Sequence, residues 1–173
     1  MIRPASAEDA AAILGIYAPA VRDSVATFEL EPPSLDEMTR RIAEVTRRYP
    51  WLVHEAGGRV AGYAYATEYH ERPAYAWTCE VSVYVGDGAR GTGAGRALLR
   101  ELLARLEAAG FVNAIARIAL PNDASVKLFE GHGFEPIGTA RGIGYKLGRW
   151  VDVGEWQRDL AKRGPAPRPP SSP

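Results

Sequence analysis

The sequence predicts a single α/β (α+β) domain in three layers: a mixed, twisted sheet flanked by helices. Two observations carry that class. Trp51–Glu55 and Val60–Thr67, rich in aromatic and β-branched residues, are joined at Gly57-Gly58, the signature of an antiparallel hairpin. Further on, the strand-like run Trp77–Val85 passes through a glycine-rich turn into a leucine-patterned helix and on to a strand at Val112–Ala119. A sheet with both hairpin and helical connections is mixed, and its apolar faces need helices over them.

The elements follow in order. Ser6-Ala-Glu-Asp9 is a capping box, and Ala10, Ile13, Leu14, Tyr17 and Val21 recur behind it at helical spacing. Ser34, with Glu37 three residues on, opens a second helix whose expected apolar face is Leu35, Met38, Ile42 and Val45. Tyr49-Pro50 stops it, and the hairpin begins. In the third strand Glu80, Ser82 and Tyr84 alternate with Val81, Val83 and Val85. The long helix places Leu98, Leu99, Leu102, Leu103 and Leu106 inward and ends at Gly110. After the strand Val112–Ala119, Asn122 or Asp123 caps a short helix that Gly133 ends. Strand pattern then runs from about Ile137 to Leu160, interrupted by Gly142, Gly144 and Gly148. The acting domain is expected over residues 1–163. The proline-rich stretch 164–173 has too little apolar content to fold and is expected to be disordered.

Composition narrows the functional classes. The 173 residues are 46% hydrophobic and 24% charged, ordinary for a soluble domain. Lys+Arg and Asp+Glu are both 21, so no excess of positive charge points to nucleic acid. One cysteine, Cys79, permits no internal disulfide and suggests no cysteine metal site; His54 and His70 lack spaced partners, so no metal is expected. Apolar runs fall short of a membrane span and the first residues lack a signal-peptide core, so a cytoplasmic location with no membrane partner is expected.

The strongest local signal is Arg90-Gly91-Thr92-Gly93-Ala94-Gly95-Arg96, between a strand and a helix. Glycines let backbone N–H groups approach an anion, the helix N-terminus adds its positive end, and Arg90 and Arg96 add formal charge. A Walker loop would need Gly-Lys-Ser/Thr, which is missing. A dinucleotide fingerprint would need glycine where Arg96 stands and an acid about 20 residues on, yet Val112–Leu120 has none. Coenzyme A pyrophosphate suits the Arg-x-x-Gly-x-Gly arrangement of Arg90, Gly93 and Gly95; a plain glycine-rich connection is the structural alternative.

With that turn the chain resembles the GCN5-related N-acetyltransferases, and within them the phosphinothricin and methionine sulfoximine N-acetyltransferases. The likeness runs from Ile2 to about Leu160. It is carried also by Thr27-Phe-Glu-Leu-Glu-Pro32, Arg48-Tyr-Pro-Trp-Leu-Val53, Ala74-Tyr-Ala-Trp-Thr-Cys-Glu80, Leu120-Pro-Asn-Asp-Ala-Ser-Val126, Gly144-Tyr-Lys146 and Gly154-Glu-Trp-Gln-Arg-Asp159. The resemblance implies acetyl-CoA as co-substrate, a small-molecule amine as acceptor, and the homodimer common in the family. It implies two splayed parallel strands, Glu80–Val85 and Val112–Ala119, with the pantetheine arm on the backbone of Val83 and Val85 (Tyr84 between them) and Asn122 and Ser125 near the thiol end.

Amide formation from a thioester needs a neutral amine, while an amino-acid amine is mostly protonated near pH 7, so a proton acceptor must stand beside the splayed strands. Glu80, an acid in a run of Val, Ser, Cys and Tyr, is the candidate; the structural alternative is a solvated strand carboxylate paired with an arginine. Relatives carry a tyrosine or histidine in the helix after Asn122 to assist the leaving thiolate. This chain has Phe129 there, which can do neither, and is expected to line the substrate pocket or to be core. His132 is expected to be a capping or surface residue, and Tyr84 and Tyr145 are donors without positional support. The resemblance carries Phe28, Arg72 and Tyr75 to the pocket mouth, Arg72 toward a carboxylate or phosphinate. Other readings remain: a polyamine, an antibiotic or a protein terminus as acceptor, or a non-catalytic acyl-CoA sensor.

Overall fold

The computed structural model describes residues 1–165 and 168–171. Its strands are β1 (Ile2–Pro4), β2 (Trp51–Ala56), β3 (Arg59–Glu68), β4 (Thr78–Val85), β5 (Asn113–Leu120), β6 (Glu135–Lys146) and β7 (Arg149–Asp159). Its helices are α1 (Ala10–Asp23), α2 (Leu35–Val45), α3 (Ala94–Ala109) and α4 (Asp123–Glu130). The strands form one seven-stranded sheet in the order β1-β2-β3-β4-β5-β7-β6. All neighbours are antiparallel except β4 and β5, which are parallel.

Local chemistry explains most boundaries. Gly57 and Gly58 take φ of +57° and +72°, the two left-handed residues that a tight hairpin between twisted strands requires. The Ser34 hydroxyl accepts from the Glu37 N–H and caps α2. Asp9 closes the first capping box by accepting from the Ser6 N–H at 2.8 Å, although a single 3-10 turn, Ala7–Asp9, precedes α1. Gly110, at φ +93°, ends α3.

Two cores lie on opposite faces of the sheet. One packs α3 and α4 against Leu52, Ala64, Val81, Ala114 and Ala116, and includes all five inward leucines of α3. The other packs α1 and α2 against Trp51, Val53 and Tyr63. Met38 and Ile42 are buried there as expected, but Leu35 is 48% exposed: it is the first residue of α2 and overhangs the end of the sheet face.

One feature departs from expectation. β1 was not foreseen; three residues are too few to show a period, and the strand exists because Ile2, Arg3 and Pro4 pair with His54, Val53 and Leu52. In the tail expected to be disordered, residues 166–167 and 172–173 lie outside the described residues. Elsewhere in it, the Trp77 indole donates to the Arg168 carbonyl at 2.7 Å and the Ser171 N–H to the Ala109 carbonyl at 2.8 Å. Among the described residues no helix is long and apolar enough to cross a membrane.

Candidate active site

The sheet opens where its only parallel pair separates. β4 and β5 pair over Thr78–Glu80 and Asn113–Ile115 and no further, while β4 stays paired to β3 up to Val85 and β5 to β7 up to Leu120. From Val81 to Val85 the edge of β4 facing β5 therefore has no strand partner among the described residues. Its backbone groups are available to an extended ligand entering as an added strand.

At the mouth of this wedge β4 runs through a 3-10 turn, Asp87–Ala89, into α3. Gly91 and Gly93 adopt φ of +76° and +91°, and nothing lies within 4 Å of where a Cβ on either would stand. Among the described residues no backbone acceptor meets the N–H groups of Gly93, Ala94, Gly95 and Arg96. Orphan donors at the positive end of a 16-residue helix fit a pyrophosphate. Gly95 brings the helix close to β4: a Cβ there would touch Val85 Cγ2 at 3.4 Å. Arg96 is exposed, Arg90 pairs with Asp87 at 2.9 Å on the surface, and the Thr92 hydroxyl donates to the Ala89 carbonyl.

At the far side of the mouth, Asn122 Oδ1 accepts from the Ser125 N–H at 3.1 Å and caps α4. Among the described residues nothing accepts from the Asn122 amide N–H groups. His132 ties α4 to α3, with Nδ1 2.7 Å from the Leu128 carbonyl and Nε2 3.2 Å from the Arg96 carbonyl. This is the capping role expected of it, extended to the first turn of α3.

Glu80 stands at the last β4–β5 pair, opposite Ile115, and faces the α1–α2 side of the sheet with Ser82 and Tyr84. It forms an ion pair with Arg117 Nη2, two residues further along β5 on the same face. The Glu80 side chain is 19% exposed and that of Arg117 48% exposed. The bond to Glu80 pushes the Arg117 guanidinium further up from its ordinary value. Sequence reasoning missed Arg117. Thr67 lies opposite Glu80 on β3, and beside it a cavity of about 180 Å³ opens between α2 and the aromatic floor of Tyr63 and Tyr65. Burial pushes the Tyr65 phenol up to about 12, so it stays protonated as a donor. The Trp51 indole N–H, in the cavity wall, has no partner among the described residues.

The other candidates divide. Tyr75 joins an exposed aromatic cluster with Tyr69 and His70, at ring distances of 5.7 and 5.1 Å. Arg72 is exposed at the start of the Pro73–Tyr75 turn. Phe28 is 39% exposed and sits against β6, where a Cβ on Gly144 would collide with its ring. Lys146 is almost wholly buried and holds the same loop by donating to the Thr27 carbonyl at 2.7 Å; burial pulls its ammonium below the usual lysine range. Phe129 corrects the pocket-wall expectation. It is 5% exposed in the α3–α4 core, 5.1 Å from the Phe134 ring, on the opposite face of the sheet from Glu80. Tyr145 is exposed beside Trp150 on the β6–β7 hairpin.

A sheet whose parallel pair splays beside an orphan-donor helix start, with a carboxylate at the apex, defines an acyl-coenzyme A transferase architecture. Residues 2–154 match the acetyltransferase (GNAT) domain family, and the chain belongs to it. It is 45% identical over 168 residues to a phosphinothricin N-acetyltransferase of Streptomyces viridochromogenes, covering 97% of this chain and 91% of that protein. It is 36% identical to an L-methionine sulfoximine/L-methionine sulfone acetyltransferase of Pseudomonas paraeruginosa, covering 96% and 98%. The crystal structure of a phosphinothricin acetyltransferase from Sinorhizobium meliloti in complex with acetyl-CoA superposes with a TM-score of 0.91 at 39% identity, covering 98% and 95%. The protein is thus an acetyltransferase of the mixed, splayed-sheet GNAT fold.

Proposed function

We propose that the protein transfers the acetyl group of acetyl-CoA to the amine of a small amino-acid-like substrate, of the phosphinothricin or methionine sulfoximine type. The observation that carries this reading is Glu80 at the apex of the β4–β5 wedge, with unsatisfied N–H donors at its mouth. The pyrophosphate rests on residues 91–96, flanked by Arg90 and Arg96. The pantetheine arm runs along Val83–Val85, and Asn122 and Ser125 lie near the thiol. Two relatives of the stated names and an acetyl-CoA-bound neighbour support the reading.

The chemistry follows from these groups. Glu80 accepts a proton from the substrate ammonium, and the freed amine attacks the thioester carbonyl carbon. Charge gathering on the carbonyl oxygen meets backbone N–H on the open edge of β4, around Val83. The C–S bond then breaks, the attacking nitrogen gives up its second proton to water, and water protonates the leaving thiolate, because Phe129 has no proton to give. Phe28, Arg72 and Tyr75 border the acceptor side.

We also propose that the protein is a cytoplasmic homodimer. Ile143, Tyr145, Leu147 and Trp150 are all more than half exposed on the β6–β7 hairpin at the open edge of the sheet, an apolar surface that a second copy would cover.

Thiol release from acetyl-CoA, measured against a panel of amines, tests the function. Acetylation of phosphinothricin, methionine sulfoximine or methionine sulfone well above that of spermidine, an aminoglycoside or an N-terminal peptide is the expected result. Preference for one of the latter would move the acceptor class, and no turnover with tight acetyl-CoA binding would make the protein a sensor.

A further inference from the structure

Arg117 is half exposed, beyond the last β4–β5 pair, on the face that carries Glu80. Only Nη2 of its guanidinium is engaged, on Glu80 Oε2; among the described residues nothing accepts from Nε or Nη1. Nη2 carries two N–H groups, one beside Nε–H and one beside Nη1–H, so with one of them on Glu80 the other still completes a bidentate edge for a carboxylate. Across the sheet Arg117 stands opposite Glu155 of β7, so two carboxylates flank one guanidinium and the local balance favours one added positive charge.

An α-amino acid carries its ammonium and its carboxylate on a single carbon. Glu80 and Arg117, already in hydrogen-bond contact, offer the complementary acceptor and donor at that same short spacing. We infer that Arg117 is the specificity-determining residue of the site: it binds the α-carboxylate of the acceptor through its free bidentate edge, which shares the second N–H of Nη2, while the first Nη2 N–H keeps Glu80 aimed at the neighbouring ammonium. This rests on the amino-acid reading above and deepens it. A free amine without the acid group would find only half of this recognition.

The test compares methionine sulfoximine with 3-aminopropyl methyl sulfoximine, which lacks only the carboxylate, in wild type, Arg117→Lys and Arg117→Ala. Arg117→Ala is expected to lower kcat/KM for the amino acid about 100-fold, chiefly through KM, and for the carboxylate-free amine less than about fivefold, on the scale of one bidentate charged contact. Arg117→Lys keeps a charge beside Glu80 without the fork, and should lie between. Acetyl-CoA affinity, measured alongside, should hold in both variants and reports that they are folded. Equal losses on both substrates would show that Arg117 only positions Glu80 and would overturn the inference. A wild type that prefers the carboxylate-free amine would overturn the amino-acid reading itself, and the inference with it.

Discussion

Cys79 and Glu80 are neighbours on β4 and face opposite sides of the sheet. The pleat sends the thiol into the α3–α4 core, where burial pushes it up to about 12, and the carboxylate toward the wedge. Cys79 should therefore resist alkylation by iodoacetamide at pH 8 in the native protein and react once it is unfolded; stoichiometric labelling without unfolding would contradict this placement. Glu80 was conspicuous in the sequence as an acid in a strand run of Val, Ser, Cys and Tyr, a pattern that left it equally a carboxylate paired with an arginine; the family resemblance favoured the catalytic role. Arg117 was not, because one arginine in a strand resembles any surface arginine until the strand's neighbour is known. Phe129 shows the reverse problem: its place in the chain pointed to the pocket, and its packing against Phe134 puts it in the core. Phe129→His should place a polar ring among apolar side chains, destabilising the fold by about 2–4 kcal/mol, and should not raise turnover per folded molecule. Thermal melts with active-site-normalised rates check both; a faster enzyme would restore Phe129 to the catalytic face.

At the scale of elements, glycines set the two loops that frame the site. Gly93 needs a left-handed conformation but has open space around it, so Gly93→Val should strain the turn without a clash. Its acetyl-CoA dissociation constant, read by calorimetry, should rise at least about tenfold while circular dichroism stays native, through loss of oriented N–H donors. Unchanged affinity would remove the pyrophosphate from this turn. The capping boxes of α1 and α2 and the Gly57-Gly58 hairpin were legible because each is a local pairing of a few residues. β1 was not, because it depends on β2 alone. Arg3 anchors that strand by bridging Asp9 and Glu55, both at 2.7 Å, and its hydrogen bonds hold the Asp9 carboxyl below the usual range. A depressed carboxyl stabilises the fold above its unfolded value and loses that contribution as pH falls through the folded one. Asp9→Asn should therefore lower Tm at pH 7 and converge on wild type only as pH falls below the ordinary carboxyl range. A constant difference across that range would place the stabilisation elsewhere.

Over the whole molecule, the fold class was legible from how the strands are connected, while the wedge was foreseen only through the family resemblance and from no residue pattern. Where β4 leaves β5 is a matter of sheet twist and of which strand inserts beside which, and β7 enters next to β5 from more than thirty residues away in the chain. That insertion leaves β6 as a long outer edge carrying the exposed apolar residues of the hairpin. If this edge is the homodimer surface, light scattering coupled to gel filtration should give twice the 18.8 kDa chain mass, and Trp150→Glu should return a monomer. The sharpest test concerns Glu80 in its wedge. Turnover of wild type and Glu80→Gln should be compared on the best amine of the panel, with acetyl-CoA affinity measured on the same preparations. A fall in kcat of about 100-fold or more with affinity unchanged is the predicted result, the scale of one positioned acid–base group. Near-normal turnover of Glu80→Gln at neutral pH would contradict the assignment of Glu80 as the proton acceptor.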